Sequence, residues 1–363
     1  MLFNRLNRTK TCFALFTIAS GIMVGCTAEK PNTGQQPQPS PKTVSTPSSK
    51  EKTVQDDYIS LTNTEYVNGV DSKDGMVMKI YSYGITDKKL TNAGNLPYTS
   101  QSPLSFLSLT DGSIYYPAAS DTQKGDQLTV YRLSTAATER LSSDLFAINF
   151  ILPTPDNRSL VLLAVKNGDR MLKTMFYDKG SKKLTVLDDD DQSTQNSRIS
   201  VNPETNKTYV VRFSDEEDRN NLLSANESQT PMTASKRTIF EIDNVTKETK
   251  KVFELDKEDV LTLSARGDKL FLATSPYFNK EPLDYSMLDL KSGKREKLDL
   301  PIKARSGAFL SQEAKGIYLL GSSSTDESKS ARGIYYYDFE SKKMDEIFIQ
   351  KAGFINQFML ISK

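Results

Sequence analysis

"GIYYYDFESKKMDEI", residues 333–347, is the stretch on which the fold turns. Aromatic and apolar residues up to Tyr337 have the composition of a β-strand. Asp338 follows, and a carboxylate at that point can accept hydrogen bonds from the backbone N–H groups of a turn. Ser341 is small enough for the turn, Lys342 and Lys343 suit solvent, and Ile347 returns the chain to an apolar surface. The stretch predicts a β-hairpin.

The same phrase occurs six times. The other copies are "MVMKIYSYGITDKKL" (76–90), "LTVYRLSTAATERL" (128–141), "LKTMFYDKGSKKLTVL" (172–187), "RTIFEIDNVTKETKKV" (237–252) and "LDYSMLDLKSGKREKL" (283–298). Aligning the residue that starts the turn gives Gly84, Ser134, Asp178, Asp243, Asp289 and Asp338, at steps of 50, 44, 65, 46 and 49 residues. In the last four copies an apolar residue falls nine positions later, at Leu187, Val252, Leu298 and Ile347. Between the hairpins lie units that join a polar turn to a run of strand formers, such as "TPDNRSLVLLAV" (154–165) and "NPETNKTYVVRF" (202–213), each preceded by an extended segment. Every period therefore holds about four strands, and a four-stranded repeat of roughly 40–50 residues marks a β-propeller blade. A helical repeat of this length would show 3.6-residue periodicity, which is absent.

The two ends of the folded region complement each other. "DDYISLTNTEYV" (56–67) reads as a blade without its first strand, and "GFINQFMLIS" (353–362) is spaced like the first strand in "FAINFILPTPD" (146–156). The C-terminal strand is therefore expected to complete the first blade and cover edges that would otherwise stay unpaired. The expected fold is all-β, a propeller of six blades over residues 56–363, or seven if 214–236 hides a degenerate strand pair. Thr154-Pro155-Asp156-Asn157, its weaker copies and the Tyr-Asp hairpins make the chain similar to TolB-type and WD-like six-bladed propellers of bacterial envelopes. That resemblance implies the fold and says little about activity, because propellers host enzymes, binders and scaffolds alike.

Composition narrows the chemistry. The chain of 363 residues has no Trp and no His. Without His, Ser-His-Asp hydrolysis, Cys-His chemistry and His-ligated zinc or iron are excluded. Chemistry built on carboxylates, Tyr or Lys remains open. Leaving out residues 1–25, the chain has 44 basic against 46 acidic residues. That balance argues against a dedicated nucleic-acid surface.

The first residues give an address. "MLFNRLNRTK" is basic, "TCFALFTIASGIMVG" is mostly apolar, and Cys26 follows directly. This is the pattern of a secretory signal, too short for a spanning helix of ~20 residues. Met23-Val24-Gly25-Cys26 resembles the bacterial lipobox, with Met23 in place of the usual Leu. The resemblance implies cleavage after residue 25 and acyl groups, palmitate among them, on Cys26; the alternative is an ordinary cleaved signal with an incidental Cys. Once residues 1–25 are removed, Cys26 is the only thiol, so no internal disulfide can form. Residues 26–55 combine the lipidation site with a Pro/Ser/Thr/Gln-rich stretch that buries too little apolar surface to fold and reads as a disordered tether. Fully extended, it would reach on the order of 90 Å at ~3.1 Å per residue.

Sites of chemistry are few. "DDDD" (188–191) reads as a solvated loop between blades, or else as part of an oxygen-ligand Ca²⁺ site. "SDEEDRNNLLSANESQTPMTASK" (214–236) is the longest irregular insertion, and its acidic start, Asp215, Glu216, Glu217 and Asp218, is a candidate binding loop. The tyrosines at 115–116 and 335–337 read as packing between blades, or else as a platform for carbohydrate or peptide. No catalytic residue, metal ligand or cofactor motif is assigned. The expected function is a non-catalytic, lipid-anchored, extracytoplasmic module for an envelope protein, peptide or polymer. The alternative is an enzyme acting on envelope sugars or peptides through carboxylates or Tyr, which requires two carboxylates ~5–10 Å apart facing the channel.

Overall fold

The computed structural model describes residues 57–70, 72–98, 103–119, 125–304, 307–322 and 331–362. The signal segment, Cys26 and the Pro-rich stretch lie outside the described residues. Strands are given in chain order, blade by blade. The first blade holds β1 (Tyr58–Tyr66), β2 (Met76–Gly84) and β3 (Leu90–Pro97). The second holds β4 (Phe106–Ser108), β5 (Ser113–Ala119), β6 (Asp126–Arg132) and β7 (Ala137–Arg140). The third holds β8 (Leu145–Pro153), β9 (Ser159–Lys166), β10 (Lys173–Asp178) and β11 (Lys183–Val186). The fourth holds β12 (Thr194–Asn202), β13 (Lys207–Ser214), β14 (Arg237–Asp243) and β15 (Thr249–Leu255). The fifth holds β16 (Asp259–Arg266), β17 (Lys269–Ser275), β18 (Asp284–Asp289) and β19 (Arg295–Leu298). The sixth holds β20 (Ala308–Leu310), β21 (Gly316–Ser322), β22 (Arg332–Asp338) and β23 (Met344–Ile349), and β24 (Phe354–Ile361) ends the chain.

These strands form six antiparallel four-stranded sheets, and β24 lies beside β1 in the order β24-β1-β2-β3. It takes the place that β4, β8, β12, β16 and β20 hold in the other sheets, with Leu61 opposite Phe358 and Ile59 opposite Leu360. The molecule is a six-bladed β-propeller. The last strand completes the first blade, as the spacing predicts.

Apolar seams run between successive blades because both faces of each sheet are covered. Met78 and Ile80 of the first blade meet Leu107 and Ile114 of the second. Phe106, Leu128 and Val130 continue into Leu160, Leu162 and Met175 of the third, and on to Val210 and Ile242 of the fourth. Ile239 and Leu255 meet Val260 and Leu272 of the fifth, and Phe271 and Tyr285 meet Leu310 and Tyr335 of the sixth. Tyr318 and Leu320 then pack against Ile59, Leu61 and Phe358 and close the ring. Tyr115, Tyr116, Tyr335 and Tyr337 are buried in these seams, so packing accounts for them.

The Asp turns form as expected. The Oδ1 atom of Asp178 accepts from the Ser181 amide at 2.6 Å and from its hydroxyl at 2.8 Å, and Asp338 accepts the same pair from Ser341 at 2.7 and 2.8 Å. Asp243 accepts from the amides of Val245 and Thr246. Turn amides hold these three carboxyls below their usual range, and the Lys269 ammonium together with the Ser292 turn does the same for Asp289. Leu187, Val252, Leu298 and Ile347 each pack against a seam. In the second blade the corresponding strand ends at Arg132, two residues before Ser134: Arg132 faces Ser113 and Ala137 as Asp178 faces Ser159 and Lys183, so the turn there starts at Arg132 and not at Ser134.

Residues 214–236 depart from expectation. They hold neither an irregular loop nor a strand pair: Asp215–Ser228 is an α-helix, α1, so the seventh-blade alternative falls. Ser214 caps it by accepting the Glu217 amide at 3.2 Å, four acidic residues occupy the first turn, and Gln229 ends it in the left-handed region at φ 54°. Cap, acidic first turn and left-handed stop each favour a helix in water.

One oxygen of a buried carboxylate lacks a hydrogen-bond partner among the described residues. Asp126 is 1% exposed, its Oδ2 makes no hydrogen bond, and burial pushes its carboxyl up to about 6. The native state therefore keeps this proton to higher pH than the unfolded chain, so stability falls as pH rises from about 4 to about 6 and stays lowered above that. Asp126→Asn is expected to stabilise the protein at pH 7 by up to about 3 kcal/mol, with the two proteins converging below about pH 4. Urea midpoints across that range check the sign.

Candidate binding mouth

Six innermost strands end around one opening. Ser108 of β4, Leu152 of β8, Val201 of β12, Arg266 of β16, Leu310 of β20 and Met359 of β24 all line it, which places it on the axis of the ring. It encloses about 110 Å³. Its wall is largely apolar because β8, β12, β20 and β24 bring Leu152, Val201, Leu310 and Met359 to it near their ends, while β4 and β16 bring Ser108 and Arg266. Phe106, Phe309 and Pro155 complete the apolar part, and Tyr58, Thr110, Asn157 and Ser362 supply polar atoms. Among the described residues, those lining the mouth include no Asp or Glu.

The polar groups of the mouth are held in place. The Tyr58 hydroxyl donates to the Leu107 carbonyl at 2.8 Å and accepts from the Leu109 amide at 3.2 Å. Burial pushes this phenol up to about 12, so it is neutral at physiological pH. Arg266 is buried, donating from Nε to Glu204 at 2.8 Å and from Nη1 to the Ser362 hydroxyl at 2.9 Å. Ser362 in turn donates to Asp57 at 3.1 Å, so the fifth blade, the turn after β12 and both ends of the folded chain meet at the rim.

A second rim cluster spans the turns of the second and third blades. Lys179 Nζ donates to Asp111 and to Asn157 at 2.6 Å each, Asn157 donates to Asp111 at 2.7 Å, and Tyr115 donates to Asp111 at 3.0 Å. Burial raises the Asp111 carboxyl, but the hydrogen bond and charge of Lys179, with hydrogen bonds from Tyr115 and Ser108, together outweigh it and hold the group below its usual range. Burial lowers Lys179 in turn. The pair acts as a clasp between blades.

The acidic stretch chosen from sequence lies elsewhere. α1 connects β13 to β14, and in this antiparallel order that connection is at the opposite end of the strands from the mouth. Asp215 accepts from Arg219 at 2.6 Å and Arg170 at 3.0 Å. Asp218 is buried and accepts two bonds from Arg237, while Glu216 and Glu217 are exposed. The run 188–191 also disperses: Asp188 pairs with Arg212, Asp189 pairs with Lys166 at 2.9 Å, and Asp191 binds its own turn through Ser193 and Thr194. Among the described residues, no three acidic or Cys side chains converge as an ion site would require.

The chain is similar to TolB. TolB from Acinetobacter baumannii matches with a TM-score of 0.56 and 14% sequence identity, over 85% of this chain and 67% of that one. An oligogalacturonate lyase in complex with manganese matches with a TM-score of 0.52 and 12% identity, over 82% of this chain and 75% of the lyase. No family model and no curated protein matches the sequence. At these identities the likeness to TolB and to the lyase is one of fold.

The sequence reading missed the mouth. The available signal was the apolar residue near the end of four of the inner strands, as in "LPTPD" (152–156), "VNPET" (201–205) and "FLSQE" (309–313). Those residues look like ordinary core until the strands are set around an axis.

Proposed function

We propose that this chain is a lipid-anchored, extracytoplasmic binding protein whose propeller receives an envelope protein, peptide or polymer at the axial mouth. The observation that carries this reading is the mouth itself: an apolar cup of about 110 Å³ with fixed polar groups on its rim. Concave apolar sites with a few placed polar groups are the usual form of a binding pocket. A cup of this size, smaller than the ~150 Å³ cavity that accepts benzene, suits one aliphatic side chain as an anchor. The likeness of fold to TolB and the near-neutral charge of the chain support an envelope role over a nucleic-acid one.

Two outcomes are expected. Affinity capture from the envelope of the producing cells should enrich a defined component, and Val201→Lys, which sets an ammonium in the cup, should reduce its capture at least ~tenfold while the melting transition is kept. Thr110→Arg, on the rim, serves as the second variant. Undiminished capture by both folded variants, or no enriched component, contradicts the reading. Separately, Cys26→Ser should move the protein from the membrane to the soluble fraction and abolish palmitate labelling; unchanged membrane retention would remove the anchor from the account.

A further inference from the structure

Arg266 is the one charged side chain, among the described residues, that lines the mouth. It is 5% exposed, yet its hydrogen bonding is incomplete. Nε donates to Glu204 at 2.8 Å, and Nη1 donates to the Ser362 hydroxyl at 2.9 Å and to the Leu310 carbonyl at 3.5 Å. Nη2 makes no hydrogen bond among the described residues. Burying a cation is costly unless its donors are met. The carboxylate that pairs with Arg266 does not close the mouth. Glu204 follows β12, is 43% exposed and is not among the lining residues, so solvent screens its charge. Asp57 accepts from Ser362, and elsewhere on the rim Asp111 is committed to Lys179.

We propose that the mouth recognises the C-terminal end of a protein or peptide that finishes in an aliphatic residue, with its terminal carboxylate on Arg266 and its last side chain in the cup. The inference rests on the binding role proposed for the mouth and names the ligand. A guanidinium suits a carboxylate because its planar N–H groups match two acceptor oxygens. An anion entering the mouth meets one lining cation and no lining carboxylate. Val201, Leu310 and Met359 share the lining with Arg266, so apolar contact and charge are offered together. Volume and wall select the rest of the ligand. About 110 Å³ holds one aliphatic side chain and not the long tail of a fatty acid. Walls of Leu, Val, Met and Phe would leave the hydroxyls of a sugar acid without partners. Capture of a terminal carboxylate is a recurrent mode of peptide recognition.

The test is fluorescence anisotropy with the full chain, held in lipid nanodiscs, and two labelled peptides: Gly-Ser-Gly-Ser-Leu with a free carboxylate, and the same peptide as its amide. The free acid is expected to bind at least ~tenfold more tightly, because the amide gives up a charge-assisted hydrogen bond. Arg266→Gln should bring the free acid down to the level of the amide and leave the amide where it was, while Arg266→Lys keeps part of the difference. Melting transitions identify the folded variants, and the comparison of the two peptides on the wild type needs no variant. Equal binding of acid and amide, binding of neither, or displacement of the acid by octanoate at matched concentration overturns the proposal. The wider reading of the mouth fails on a different result, undiminished capture by Val201→Lys and Thr110→Arg.

Discussion

Arg237→Ala is expected to cost about 3–5 kcal/mol of stability and to release α1 from the propeller. Arg237 is fully buried, and its guanidinium is committed on every side. Nη1 and Nη2 donate to the two oxygens of Asp218 at 2.9 and 2.8 Å, and Nε donates to Asp259 at 3.2 Å. Nη1 also reaches the Ser235 hydroxyl at 2.7 Å, and the guanidinium lies 4.3 Å from the centre of the Phe213 ring. Asp218 belongs to α1, Arg237 to the fourth blade and Asp259 to the fifth, so this side chain ties the helix to the seam between two blades. Only Asp218 and Ala225 of the helix are buried, so no broad apolar face would hold it once the arginine is gone. The cost comes chiefly from Asp218, left buried without its cation, and from Asp259, left with Arg198 as its remaining cation.

The mechanism implies its own control. Arg237→Met combined with Asp218→Asn and Asp259→Asn removes all three charges together and should recover most of the loss. Arg237→Lys keeps the charge but cannot form the two-pronged bond, and should fall between. Denaturant midpoints give the stability, and amide exchange over residues 215–228 gives the helix. A loss below about 1 kcal/mol for Arg237→Ala, with the helix still protected, would show that the network does not hold α1.

The larger effect is expected from the C-terminal strand. A chain ending at residue 353 should have no cooperative folded state. The deletion strips β1 of a neighbour along seven paired positions and uncovers Ile59 and Leu61. It also removes Ile355, Phe358 and Met359, all at most 3% exposed. Truncating one such side chain to alanine typically costs about 2–5 kcal/mol, so losing three approaches or exceeds the ~5–15 kcal/mol total of an ordinary domain. Phe358→Ala alone should cost about 3–5 kcal/mol, since its ring sits edge-to-face on Phe309 at 5.2 Å across the closing seam. A truncated protein that melts cooperatively near the wild-type temperature would contradict this.

Much of the fold was legible because a propeller is a repeat, and a repeat writes its turn chemistry many times. Asp178, Asp243, Asp289 and Asp338 could each have been incidental, but four in succession at steps of 65, 46 and 49 residues, each with an apolar residue nine positions on, could not. The missing first strand and the unpaired last one pointed to each other for the same reason. α1 was illegible to periodicity because it has no apolar stripe and its anchor is an ion pair; only the Ser214–Glu217 cap and the acidic first turn announced it. The mouth was illegible because its residues lie far apart in sequence and are individually ordinary. Val201, Leu310 and Met359 become a site only when six strand ends converge on an axis.

The closure of the ring by β24 supports the rest, because β24 supplies Met359 to the mouth and the residue after it, Ser362, lines the mouth too. Thr64 and Phe354 face each other across β1 and β24. Cysteines at those two positions, with Cys12 and Cys26 replaced by serine, lie within the roughly 4.5–5.5 Å Cα separation of antiparallel partners that a disulfide can bridge. Mild oxidation of the folded protein should join residues 64 and 354 in one chain, with the link found by mass analysis of a digest and the melting transition preserved. Free thiols after oxidation, or links only between separate molecules, would mean that the tail does not complete the first blade.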